Sequence, residues 1–342
     1  MPVKAILLAD ERHRNYHASD FFCVYSDDVL DRLRALVDLE EEPVFWGSSA
    51  QKREALASAD IILSNWGMPE LSAQEVQRAL PNVRAVFYAG GDVHAFAAPY
   101  FQQGARVFCT QHTNAIPASE YALSQILQAT KGVQRAGRAY LDPQSYAQAR
   151  QEVSQRPGNY MPSVGILGVG HVGSRVAQLL RPFDVHVLGC DPFLSPARAL
   201  ELGITLVEQD ELFRRCDVVS CHLPDWSILR AGVGYAEFSA MPPCATFINA
   251  AQASPIDQDA LIRALNEVPT RTAILDSTDP MPLPAGHPLL TMPNGFLTPH
   301  IAGSFGGELE RMGFDIVQMV SDYISGRPCA HEVLREGIRR FT

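Results

Sequence analysis

The chain has 342 residues, enough for two compact domains, and 46% hydrophobic with 19% charged residues is a globular composition, not a disordered one. A formal charge of -10 leaves no basic footprint for nucleic acid or an anionic membrane. No apolar run reaches the ~18 residues of a membrane span, no signal-peptide pattern opens the chain, and the 7 scattered cysteines form no CxxC, which reads as reduced thiols in a cytoplasmic protein.

In chain order, residues 3–9 form a short apolar strand and residues 29–39 carry apolar positions at helical spacing. Strands at 60–64, 83–88 and 106–109 alternate with helices at 72–80, stopped by Pro81, and 95–103. Such a βαβα order predicts a parallel sheet covered by helices. A long helix over 118–139 leads to a Pro/Gly/Asn-bearing linker at 156–162, where a second series begins. Its strands are placed at 164–167, 185–190, 217–222, 245–249, 272–276 and 296–298, with helices at 174–180 and 257–267. A last helix, 308–323, follows the second series and is expected to return to the first domain. The Arg- and Glu-rich segment 330–342 reads as a surface helix. There is no internal repeat.

The strand at 164–167 runs into Gly168-Val169-Gly170-His171-Val172-Gly173 and then a helix. In such a turn Gly168 permits the tight bend, Gly170 lets backbone approach a pyrophosphate, and Gly173 lets helix and strand pack closely. The helix N-terminus, with His171 and Val172, offers N–H groups to the phosphates. Asp191 ends the next strand about 20 residues further on, where a carboxylate accepts from the ribose diol and repels a 2′-phosphate. Strand, glycines, helix and acid together predict a Rossmann domain that binds NAD rather than NADP.

Several further segments resemble the D-2-hydroxyacid dehydrogenase family over nearly the whole chain. Ala89-Gly90-Gly91-Asp92 is similar to its substrate-carboxylate loop, and Thr113-Asn114-Ala115 through Tyr121 to its inter-domain crossing. Cys221-His222-Leu223-Pro224, Asn249-Ala250, Leu275-Asp276 and Thr298-Pro299-His300-Ile301-Ala302-Gly303 match its cofactor-domain strand ends. The resemblance implies two doubly wound α/β parallel-sheet domains with a cleft between them. One is a flavodoxin-like substrate domain (1–116 and 304–342) and the other a Rossmann NAD-binding domain (117–303). It also implies a homodimer through the NAD-binding domain, with the 118–139 helix as the contact; from charge, apolar-run length and cysteine spacing no metal, nucleic acid or membrane partner is expected.

By the same resemblance, Gly168, Gly170, His171, Val172, Gly173, Asp191, Leu223, Pro224, Ala250, Asp276 and His300 hold the cofactor. Ala89, Gly90 and Gly91 face a small-molecule substrate, and Trp66, with Tyr88 and His94, either lines the substrate side with them or serves packing. Three side chains carry the family's chemistry: a histidine that exchanges the hydroxyl proton, a glutamate that supports it, and an arginine that grips the substrate carboxylate. His300 fits the first. The arginine position reads Gln252 and the glutamate position Met281; a two-residue shift of register would put Asp279 at the latter, against the unbroken spacing to Pro282. Gln252 brings neither charge nor guanidinium fork, and Met281 cannot stabilise an imidazolium. Three readings follow: an NAD-dependent oxidoreductase with an altered substrate anchor, a catalytically silent NAD(H)-binding regulator, or an isomerase or epimerase that oxidises transiently with bound NAD.

Overall fold

The computed structural model describes residues 2–11, 23–47, 52–329 and 331–335. Most of the segment 330–342 therefore lies outside the described residues. The chain divides into two units, Met1–Asn114 with Ser304–Thr342, and Ala115–Gly303.

The first unit alternates β1 (Lys4–Asp10), α1 (Asp27–Arg34), β2 (Asp38–Leu39), β3 (Val44–Trp46), α2 (Arg53–Ser58), β4 (Ile61–Ser64), α3 (Ala73–Ala79), β5 (Ala85–Tyr88), α4 (Ala97–Gln103) and β6 (Arg106–Cys109). Its strands pair in parallel in the order β2-β1-β4-β5-β6, with β3 pairing the far end of β1, the flavodoxin-like winding. Every residue of β4 and β5 is buried, because helices cover both faces of the sheet.

In the second unit come α5 (Gln111–Lys131, which starts within the first), α6 (Val133–Ala139), α7 (Tyr146–Glu152), β7 (Ser163–Leu167), α8 (His171–Leu180), β8 (His186–Cys190), α9 (Pro196–Leu202), β9 (Thr205–Leu206), α10 (Gln209–Arg215), β10 (Val218–Cys221), α11 (Tyr235–Ala240), β11 (Thr246–Asn249), α12 (Gln258–Glu267), β12 (Thr272–Leu275) and β13 (Gly295–Leu297). The order β13-β12-β11-β10-β7-β8-β9 is all parallel and reverses at β7/β10, as in the dinucleotide-binding fold. Two apolar clusters, one around Phe213, Phe238 and Phe247 and one around Ile126, Ile166 and Ile248, fill its core. α13 (Glu308–Ile324) belongs to the first unit, where Met312, Ile316 and Val320 join Val29, Leu33 and Phe87.

Local chemistry sets the ends of these elements. Ser72 and Glu75 form a reciprocal capping box on α3. Asp257 accepts from Ala260 N–H to cap α12, and Ser195 with Pro196 starts α9.

Several expected bounds change. The helix expected over 29–39 ends at Arg34, because Asp38 and Leu39 leave it to pair with Lys4 and Ala5. The helix expected over 118–139 starts at Gln111 and breaks at Gly132, whose φ of 68° is a left-handed conformation that glycine supplies cheaply. The helix expected at 174–180 begins three residues earlier, directly after Gly170. The short helices α2, α7, α9, α10 and α11 are additional to the sequence reading. All seven cysteines are free thiols. No helix among the described residues is long and apolar enough to cross a membrane.

Candidate functional site

Register decides where the chemistry of the second unit falls. Cys190 pairs with Leu167, Leu167 with Cys221, Cys221 with Asn249, Asn249 with Leu275, and Leu275 with Leu297. The residues that follow this row are Gly168, Asp191, His222, Ala250, Asp276 and Thr298. Six strands thus deliver their next residue to one carboxyl edge, where open α/β sheets bind ligands.

Gly168 has φ 86°, and a Cβ there would lie 3.0 Å from the His222 carbonyl carbon and oxygen and 3.2 Å from Leu223 N. A side chain at Gly173 would overlap the Gly168 carbonyl oxygen, so α8 can rest on β7 only with glycine at that position. Gly170, by contrast, faces open space within 4 Å. No side chain caps α8, which leaves the first-turn N–H groups of Val172 and Gly173 for an anion. Asp191 stabilises the loop: one carboxylate oxygen accepts Val169 N–H at 2.8 Å and the other Phe193 N–H at 2.8 Å. Each oxygen keeps acceptor capacity for a ribose hydroxyl. An open glycine cradle, an uncapped helix terminus and an anchored acid fit a dinucleotide.

His222, beside the same turn, has Nε2 at 3.0 Å from Ser220 Oγ, while its buried Nδ1 has no partner in the second unit. Burial pushes this imidazole down to about 4, so it is neutral at physiological pH.

His300 sits on the turn after β13 with φ 57°, a conformation that costs a non-glycine residue about 1–2 kcal/mol. Asp276 holds that turn. Its carbonyl oxygen accepts His300 N–H at 3.1 Å, one carboxylate oxygen accepts Ile301 N–H at 2.9 Å, and the other accepts Ala302 N–H at 2.8 Å. Asp276 is buried and His300 exposed, so a buried acid presents an accessible imidazole. Gln252 and Met281 are not drawn to it. The Gln252 side chain is exposed and only its carbonyl is engaged, by Asn249 Nδ2 at 3.0 Å; Met281 is 52% exposed in the turn between Pro280 and Pro282. No hydrogen bond joins Gln252 to His300 among the described residues.

In the first unit, Ala89, Gly90 and Gly91 follow β5 at its carboxyl end, and Ala89 N donates to Ser64 O at 2.8 Å. Gly90 packs so tightly that a Cβ would lie 2.7 Å from Cζ of Tyr88. Trp66 is half-buried and packs against the core beside α13. The sequence placed Asn249, Thr298 and Tyr121 only in motif segments without a role of their own; Asn249 folds the Gln252 loop by accepting Ala251 N–H at 3.2 Å, and Thr298 and Tyr121 bond side chain to side chain beside the His300 turn.

Residues 123–302, more than half the chain, match the D-isomer specific 2-hydroxyacid dehydrogenase NAD-binding domain. The chain belongs to the D-isomer specific 2-hydroxyacid dehydrogenase family. Its second unit is that family's NAD-binding domain, and the glycine turn with Asp191 is built accordingly. D-3-phosphoglycerate dehydrogenase of Mycobacterium tuberculosis is 30% identical over 259 residues, covering 74% of this chain and 47% of that enzyme. The chain thus spans about half the length of the curated relatives it matches. D-mandelate dehydrogenase of Rhodotorula graminis shares the fold of this family member with a TM-score of 0.80 at 19% identity, covering 98% of each chain. A phosphoglycerate oxidoreductase of Rhizobium etli does so with 0.78 at 22% identity, covering 99% of this chain and 100% of that one.

Proposed function

We propose that this protein is an NAD(H)-dependent oxidoreductase acting at a hydroxyl or keto carbon of a small polar substrate, with His300 exchanging the hydroxyl proton. The observation that carries this reading is the clamped His300 turn, which holds an accessible imidazole in a conformation the backbone alone disfavours. When bound, NAD(H) supplies or accepts the hydride. The chain's own residues then have three tasks. Gly168, Gly170, His171, Val172 and Gly173 seat the pyrophosphate, while Asp191 selects the unphosphorylated ribose. Leu223, Pro224, Ala250 and Asp276 line the remainder of the cofactor's berth. His300 donates its proton to a carbonyl oxygen on reduction and recovers it on oxidation.

Trp66, Ala89, Gly90 and Gly91 are assigned to the substrate. With Gln252 in place of a guanidinium, anchoring rests on neutral hydrogen bonds, each worth less than a charge-assisted one by roughly a factor of two. The preferred substrate is therefore oxygen-rich rather than a simple 2-oxo acid gripped by charge. The protein is further proposed to work as a soluble cytoplasmic homodimer.

The exposed Gln252 and Met281 favour one other reading, a cofactor-binding protein without turnover. Titration with NADH by fluorescence, followed by assay against 2-oxo acids, 2-oxo phosphonates and oxidised sugars, separates the two. We expect saturable NADH binding and turnover that His300→Ala lowers by about 10²–10⁴-fold. Binding without turnover across the panel, unchanged in Gln252→Arg/Met281→Glu, would overturn the enzyme reading.

A further inference from the structure

We propose that Tyr121 and Thr298 are positioning residues for His300, acting through an oriented hydrogen-bond chain that ends on Asp276. This inference rests on His300 being the proton-exchanging group. Thr298 Oγ1 lies 2.6 Å from the first carboxylate oxygen of Asp276, and Tyr121 Oη lies 2.7 Å from Thr298 Oγ1. A carboxylate only accepts, so the single hydroxyl proton of Thr298 points to Asp276. Tyr121 must then donate to Thr298. Burial keeps the Tyr121 hydroxyl above the ordinary tyrosine range, so it stays a donor across neutral pH.

The direction of the chain matters because of what else Asp276 does. Its first carboxylate oxygen accepts both Thr298 O–H and Ile301 N–H, which fills its two acceptor sites, and the second accepts Ala302 N–H. Thr298 therefore supplies one of the three bonds that orient the carboxylate, whose other two hold the residues directly after His300. Without the Thr298 hydroxyl, only the two backbone N–H bonds of the turn itself orient the carboxylate, so the tie to Tyr121 is lost and the left-handed turn that aims the imidazole is held less firmly. Tyr121 sits on α5 and Thr298 follows β13, so the chain ties a helix to the His300 turn across the second unit's own fold.

The test compares Thr298→Val, Thr298→Ser and Tyr121→Phe in the full chain. With histidine labelled at the ring carbon Cε1, the His300 signal is assigned by its absence in His300→Gln. Thr298→Val is expected to shift and broaden that signal and Thr298→Ser to restore it; Tyr121→Phe gives a smaller shift in the same direction. In Thr298→Val kcat falls about 10- to 100-fold with the substrate KM little altered, as expected for a misplaced reacting group. A His300 signal that keeps its position, width and pH titration in both Thr298→Val and Tyr121→Phe overturns the proposal. If Thr298→Val does not fold, Tyr121→Phe, at the half-buried end of the chain, decides by the same signal. Perturbed signals in a protein that turns over nothing would keep the positioning role and remove the enzyme reading, so the two failures are distinguishable.

Discussion

His222 makes the second unit sensitive to acid. Its imidazole is held down to about 4 by burial, whereas the unfolded chain titrates near the ordinary value of about 6.5. Above the unfolded value neither state carries the proton, and the full contribution to stability is present. As pH falls from about 6.5 towards 4, the unfolded chain takes up a proton that the folded chain refuses, so stability falls. At pH 5 the difference is about 2 kcal/mol. Chemical denaturation at pH 7 and pH 5 should show a larger loss for the wild type than for His222→Gln, which has no proton to gain. Equal losses in the two proteins would contradict the assignment. The same residue shows how much of the site a sequence discloses. Gly168, Gly173 and Asp191 were legible because a glycine requirement and an acid at a fixed spacing are local facts of the chain. The partners of His300 were not. Tyr121 and Thr298 stand 177 positions apart, and no periodicity or spacing announces that a threonine hydroxyl will turn toward Asp276. Gln252 and Met281 were legible only as departures from a motif, and the structure adds that both face outward.

Among the elements, α13 shows tightly packed backbone. Gly313 lies on its buried face, where a Cβ would overlap the carbonyl oxygen of Val24 and come within 2.9 Å of Val29 Cγ2. Gly313→Ala would push the helix away from the cluster that Met312, Ile316 and Val320 share with Val29 and Leu33. Overpacking of this kind costs about 1–3 kcal/mol, more than the helix-propensity gain of up to about 1 kcal/mol from replacing glycine. We expect a lower midpoint in denaturation monitored through the first unit; a higher midpoint would mean that the contact is loose. The strands were legible because parallel strands covered on both faces are short unbroken apolar runs, as in Ile61–Ser64 and Thr246–Asn249. Helix bounds were less so. Residues 29–39 keep helical spacing throughout, yet pairing of Leu39 with Ala5 overrides it, a long-range contact that local pattern does not contain. The helices α10 and α11 are short, and their few apolar positions, such as Leu212, Phe213 and Phe238, give too little periodicity to stand out.

For the molecule as a whole, the proposed dimer has to find apolar surface, and the long α5 helix does not supply it. Ala122, Ile126 and Ala129 of α5 pack into the second unit's own core. The exposed apolar residues come just after, on α6, α7 and the turn that joins them. Val133 is 47%, Tyr140 54%, Leu141 82% and Tyr146 54% exposed, and the rings of Tyr140 and Tyr146 meet edge to face at 5.7 Å. Two nearby cations, Arg135 and Arg138, are engaged elsewhere. Arg135 bonds Glu152 and the Pro269 carbonyl, while Arg138 donates to the carbonyls of Met292, Pro293 and Gly295 and lies 4.0 Å over the Phe296 ring. What is left exposed on this segment is a patch of Val133, Tyr140, Leu141 and Tyr146, with Asp142 and Arg150 as exposed charges near them in sequence. A second copy of the same patch is a self-complementary partner for it, as a two-fold interface requires. Its burial has to offset the repulsion between two chains that each carry a formal charge of -10. The patch, not the 118–131 stretch of α5, is therefore where the interface should fail first. Sedimentation of the wild-type protein should give a dimer, and Leu141→Asp/Tyr146→Asp a folded monomer that still binds NADH. A wild-type monomer at micromolar concentration would remove the dimer from the proposal, and a double variant that stays dimeric would move the interface off this patch.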